Sequence, residues 1–207
     1  MRLGPQNDGS VNLTWEIFMA DEHKIADPGP LGLAGFAMTT FCLSSANANL
    51  WKGAGALAAI SLAFFYGGIA QLLAGMWEFV RKNTFGALAF SSYGAFWLAL
   101  YALINWQKGF PGTSTAVFLL AWTIFTFYMM IASTRVNTAV LTVFVLLFIT
   151  FVFLTIGAWG TSTMHVDMTK IGGWTGLATA AAAWYASAAG VINETWGRVV
   201  LPTGPRG

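Results

Sequence analysis

Few residues in this chain could do chemistry, and where they are missing is informative. His23 and His165 lie outside every long apolar run. No histidine pair is placed to hold a haem, and no cluster has metal-ligand spacing. No Asp, Glu, Lys, Arg or His sits well inside an apolar run to relay protons at mid-membrane depth. There is no phosphate-binding loop of the Walker type. Nothing suggests Ser, His and Asp converging as in a hydrolase. No enzyme, metal or cofactor is therefore expected.

What remains is uncharged polar groups in apolar surroundings and a few acids at the ends of apolar runs. The stretch Asp27-Pro28-Gly29-Pro30-Leu31-Gly32-Leu33-Ala34-Gly35-Phe36 opens the first run. Proline costs little in a first helical turn, where amides lack intrahelical partners, and Asp27 can cap them. A helix start also favours anions, so this is either a capped, closely packed helix start or a resting place for a carboxylate. Gln71 stands beside Gly67-Gly68 and needs a partner in hydrocarbon, as helix glue or as a ligand. Tyr93 stands among Ser91, Ser92, Gly94 and Ala95, so its ring has room to project inward. It is either a packed core tyrosine or a hydroxyl for a weak acid. Thr39 and Thr40 can bond their own helix carbonyls. Glu78 and the Asn83-Thr84 pair flank one junction, and Asn193-Glu194 precede Arg198 at another. They serve as caps and ion pairs with Arg81 or Arg198, or form a vestibule for protons or substrate.

The elements that must position these groups are membrane spans. The 207 residues are 57% hydrophobic and 9% charged, with mean hydropathy +0.64; soluble domains carry about a quarter charged residues. Six apolar segments are expected near Pro30–Ser45, Ala54–Trp77, Phe85–Trp106, Ala116–Ser133, Ala139–Trp159 and Gly172–Asn193, each about bilayer length. Short connections make sequence neighbours antiparallel. With cytoplasmic termini, Arg2, Lys24, Arg81, Lys82, Arg135, Arg198 and Arg206 lie inside and Lys52, Lys108 and Lys170 outside, seven against three. The expected organisation is an N-terminal tail over residues 1–28, a six-helix bundle over 29–193 and a cytoplasmic tail over 194–207. Val11–Lys24 is expected to form a short amphipathic surface helix. With no secretory signal expected, the first span also serves as the insertion signal. Small residues in segments 1, 2 and 6 predict tight contacts there. The bulky segment 5 either faces lipid or supplies bulk to a constriction. The single cysteine, Cys42, excludes an intrachain disulfide, and a net charge of +2 offers no basis for a nucleic-acid partner.

Three ordered blocks resemble the acetate uptake transporter family, whose bacterial members are called succinate–acetate/proton symporters. The first is Asp27-Pro28-Gly29-Pro30-Leu31-Gly32-Leu33, similar to that family's Asn-Pro-Ala-Pro-Leu-Gly-Leu signature, followed by Gly35-Phe36 and Met38-Thr39-Thr40. The second runs Phe65-Tyr66-Gly67-Gly68-Ile69-Ala70-Gln71, Ala74-Gly75, Glu78, Asn83-Thr84-Phe85-Gly86, Ala89-Phe90, Ser92-Tyr93-Gly94 and Phe96-Trp97. The third is Asn193-Glu194, Gly197-Arg198 and Val200-Leu201-Pro202. The resemblance implies an all-α membrane protein in the plasma membrane. Six helices would surround a pore in each protomer, within a homohexamer.

The resemblance also implies acetate, succinate or other small carboxylates as substrates, with protons and the lipid bilayer as the other partners. It places an apolar-aromatic constriction at Phe36, Tyr93 and Leu147, and a residue governing acid size at Ala183. The pore entrance then comprises Asp27, Pro28, Pro30, Leu31, Gly32, Leu33, Thr39, Thr40 and Gln71. Glu78, Asn83, Thr84, Asn193 and Glu194 form a cytoplasmic vestibule. Asp27 stands where the family has Asn, and its carboxylate must be capped, paired with Lys24 or protonated. Proton-coupled uptake is expected, with a passive acetate channel and a non-transporting scaffold or receptor as alternatives.

Overall fold

The structure, a computed structural model, describes residues 25–51, 54–106, 112–160 and 162–205. The expected surface helix Val11–Lys24 lies outside the described residues. The helices are α1 (Gly29–Asn47), α2 (Ala54–Phe64), α3 (Gln71–Val80), α4 (Thr84–Trp106), α5 (Gly112–Ser133), α6 (Thr138–Trp159) and α7 (Ser162–Trp196), with a π-helical turn, Phe65–Ala70, joining α2 to α3. Gly55–Val80, Thr84–Trp106, Thr113–Ser133, Thr138–Trp159 and Thr163–Trp196 are long and apolar enough to cross a membrane. The first expected segment, α1, has 19 residues, or about 28 Å of helix, close to hydrocarbon thickness. It is less apolar because its buried residues include Gly32, Gly35, Thr39, Thr40, Ser44 and Ser45.

The segments close into a ring. α1 packs on α7, α7 on α6, α6 on α5, and α4 on α3, which returns to α1. The α4–α5 joint is the sparsest. Small residues decide the tight joints. A Cβ on Gly35 would stand 2.7 Å from the Tyr66 carbonyl oxygen, and one on Gly190 would stand 2.7 Å from Pro30. Backbones therefore approach closely where α1 crosses the π turn and where it meets α7. Ser187 pins the second crossing by donating to the Pro30 carbonyl at 2.7 Å. Segment 5, now α6, turns its bulk inward: Val143, Phe144, Leu147 and Phe151 are buried.

Two local expectations change. The Gly160–Ile171 stretch, expected as a loop, is mostly helix: α7 begins at Ser162 and runs for 35 residues. His165 explains part of this, since its Nδ1 bonds the Gly157 carbonyl at 2.9 Å and holds the new helix against the end of α6. The second segment is interrupted by the π turn. Buried Gly67 lets this wider turn sit against Thr39 and Trp97, and buried Gly68 lets it sit against the Ala63 carbonyl and Leu98. Such turns frequently mark functional positions.

The chain beyond α7 folds back on the bundle. Asn193 accepts the Val200 and Leu201 amides and donates to the Leu201 carbonyl at 2.8 Å. Tyr185 donates to the Pro202 carbonyl at 2.7 Å. The Thr138 and Ala139 amides donate to the Gly204 and Thr203 carbonyls. This strap lies at the same end of the bundle as the start of α1.

Candidate functional site

The starts of α1, α4 and α6 lie at one end of the ring. Phe36, Tyr93 and Leu147 stand seven to nine residues beyond those starts, which puts all three about 10 to 14 Å deep. A cavity of about 220 Å³ runs inward from that end. Asp27, Asn83, Asn137 and Thr203 line it, with Phe36, Tyr93 and Leu147 among its apolar residues. Phe36, Tyr93 and Leu147 are buried members of one apolar cluster. The rings of Phe36 and Tyr93 are 5.7 Å apart, and those of Tyr93 and Phe144 6.1 Å. We call this inner, apolar end the neck and the charged outer end the mouth.

The mouth is built on charge. The Asp27 carboxylate accepts the Gly29 amide at 2.9 Å and forms an ion pair with Arg81, which follows α3. Lys24, the partner expected for Asp27, lies outside the described residues. Arg81, expected near Glu78, bonds Asp27 instead. Glu78 is only 2% exposed although it lines the cavity. It accepts from the Asn83 amide at 2.9 Å, and Asn83 in turn accepts the Gly86 amide at 3.2 Å. A Cβ on Gly86 would lie 2.8 Å from the Glu78 carboxyl carbon, so any larger residue there would push the Glu78 and Asn83 side chains aside. The turn from α3 to α4 is thus shaped around a buried carboxyl.

The start of α1 is partly filled by the chain's own groups. Asp27 takes the Gly29 amide, Pro30 has no amide hydrogen, and the Gly32 amide bonds the Pro28 carbonyl at 3.0 Å. The anion at this helix start is the chain's own. Thr39, expected to offer a hydroxyl, donates to the Gly35 carbonyl at 2.8 Å, a bond within α1.

The remaining expected residues divide by position. Asp27, Pro30, Leu33, Phe36, Gln71, Glu78, Asn83, Tyr93 and Leu147 line the cavity. Pro28, Gly32, Thr39 and Thr40 are buried but line no part of it. A Cβ on Gly32 would run into the Phe90 ring, which does line it. Leu31 points outward, and Thr84 and Glu194 are exposed. Asn193 is occupied with the strap. Ala183 is fully buried in the neck's apolar cluster, whereas Ala186 and Gly190 of the same helix reach the cavity. Gln71 is 1% exposed, and no described protein group bonds its Oε1.

Sequence reasoning missed Val140, Val143 and Phe144, all lining residues. With Leu147 they stand at i, i+3, i+4 and i+7, the signature of one helix face. That spacing, counted back from Leu147, would have found them. Asn137 and Thr203 carried no such signal. Asn137 reaches the mouth as the cap of α6, accepting the Val140 amide at 2.8 Å, and Thr203 arrives with the strap.

The profile of the GPR1/FUN34/yaaH family matches residues 9–205. The succinate-acetate/proton symporter of Escherichia coli strain K12 is 39% identical over 87% of this chain and 96% of its own length. Ammonia transport outward protein 2 of Saccharomyces cerevisiae is 38% identical over 84% of this chain, which spans 64% of that relative. A solved structure described as that of the bacterial acetate channel SatP superposes with a TM-score of 0.82 and 37% identity. It covers 87% of this chain and all of its own.

Proposed function

This chain belongs to the GPR1/FUN34/yaaH family and is a multi-pass membrane protein, and from that premise we propose that it carries acetate and related small carboxylates, succinate among them, across the membrane together with protons. One observation carries the reading. A cavity lined at its charged mouth by Asp27, Glu78 and Asn83 reaches Phe36, Tyr93 and Leu147, with Gln71 buried in its wall and its Oε1 without a partner among the described residues. Such a space takes an acid at the mouth, offers its head group an amide and sorts it at the neck by size and hydration. An ionised carboxylate loses heavily on entering so dry a neck, whereas the neutral acid does not. Buried Glu78, beside the path and outside any ion pair among the described residues, is the proton carrier in this reading.

Transport rather than catalysis is the activity, and the chain assembles as the homohexamer that its family resemblance implies, which a mass measurement in detergent tests. The decisive experiment is uptake of labelled acetate into proteoliposomes with pH and voltage gradients set independently. An imposed inward proton gradient should drive accumulation above empty liposomes; no difference from empty liposomes would sink the proposal. A passive acetate channel is the second reading: Phe36, Tyr93 and Leu147 include no carboxyl, amine or imidazole that would tie passage to a proton at the neck. It predicts flux that follows voltage and is indifferent to the proton gradient at clamped potential.

A further inference from the structure

The joint between α4 and α5 is the sparsest in the ring, and side chains rather than backbones span it. Tyr93 is at its centre. Its ring lies 5.3 Å from Phe125 and 6.0 Å from Trp122, both on α5. Its hydroxyl lies 2.9 Å from Thr126 Oγ1, and Thr126 is fully buried. Which oxygen donates follows from counting protons. Thr126 has one hydroxyl hydrogen, and it is directed to the Trp122 carbonyl at 2.7 Å. The bond between the two hydroxyls therefore uses the proton of Tyr93.

We infer that Thr126 is a positioning residue that holds the Tyr93 hydroxyl proton away from the neck, so that Phe36, Tyr93 and Leu147 present no hydrogen-bond donor to a passing acid. The inference rests on the transport reading and sharpens it. A carboxylate anion at the neck would need donors and finds none on those three side chains. A neutral acid brings its own proton and can use the free lone pairs of the Tyr93 oxygen. Thr126, which faces no cavity, thereby helps determine which form of the substrate the neck tolerates, and it fixes the ring that sets the aperture.

Thr126→Val removes the hydroxyl at nearly constant shape, Thr126→Ser keeps it, and Tyr93→Phe removes the proton at issue. In proteoliposomes, Thr126→Val should change the ratio of acetate to lactate uptake by about threefold or more, the scale of one lost buried hydrogen bond. Thr126→Ser should restore the wild-type ratio, and Thr126→Val should add nothing in a Tyr93→Phe background. Thermal unfolding in detergent of wild type, both single variants and the double variant provides a readout that needs no transport. Coupled losses support the contact, and additive losses overturn it. An unchanged ratio in Thr126→Val, or a serine variant that behaves like the valine one, also overturns the inference. If wild type carries no acetate, the transport reading fails, while the unfolding cycle still decides whether Thr126 holds this hydroxyl.

Discussion

The mouth and the neck of the cavity solve opposite problems within about two and a half helical turns of each other. The mouth gathers Asp27, Arg81, Glu78 and Asn83 and pairs their polar atoms with one another. The neck has one tyrosine hydroxyl, and Thr126 occupies its proton. Charge can be received at the mouth because carboxylate, guanidinium and amide there share it. It cannot be received at the neck, where the surroundings are Phe36, Phe144 and Leu147. The difference teaches that protonation and size are handled at separate depths. A residue's position along the path, more than its type, indicates what changing it should do.

The strongest test removes the neck. Phe36→Ala should let larger acids such as lactate compete better with acetate, with selectivity falling by about tenfold and stability by about 3 kcal/mol for the cavity left behind. Competition assays and thermal unfolding read the two effects. Unchanged acid selectivity would show that the neck is not where size is sorted. Glu78→Gln comes next. It keeps a side-chain oxygen for Asn83 and removes the ionisable group, so proton-driven accumulation should drop several-fold while voltage-driven flux survives. Equal loss of both would make Glu78 a structural residue of the α3–α4 turn. The smallest effect is expected from Asp27→Asn. The ion pair is partly exposed, so its loss should cost under about 1 kcal/mol in stability. Freed of its internal carboxylate, Arg81 should attract anions, and the apparent KM for acetate should fall about twofold at low salt, with the gain fading as salt is raised. A KM that does not move would separate the mouth's charges from substrate capture.

Much of this architecture was legible in the residues. Six apolar segments with short connections implied six spans, because hydrocarbon requires backbone groups to be paired within each helix. The glycines of segments 1, 2 and 6 marked the close joints, since only small residues let backbones meet. The family resemblance implied Phe36, Tyr93 and Leu147 as a constriction, and the structure buries all three in one apolar cluster. The helical start of α7 before Gly172 was not legible, because its polar Ser162–Lys170 stretch reads as a loop until His165 is seen bonding the end of α6. Nor was the partner of Asp27, since Arg81 is 54 residues away.

The sequence by itself determined that this chain is a helical membrane protein, which segments cross, and how few charged groups lie within them. These follow from local hydropathy and from residue types, properties that need no partner to be read. The tertiary structure alone decided how the polar groups are used. It paired Asp27 with Arg81, joined Glu78 to Asn83 across the turn from α3 to α4, and directed the Tyr93 hydroxyl to Thr126. A hydrogen bond needs two groups within about 3 Å, and which groups meet at that distance is settled only when the helices close their ring.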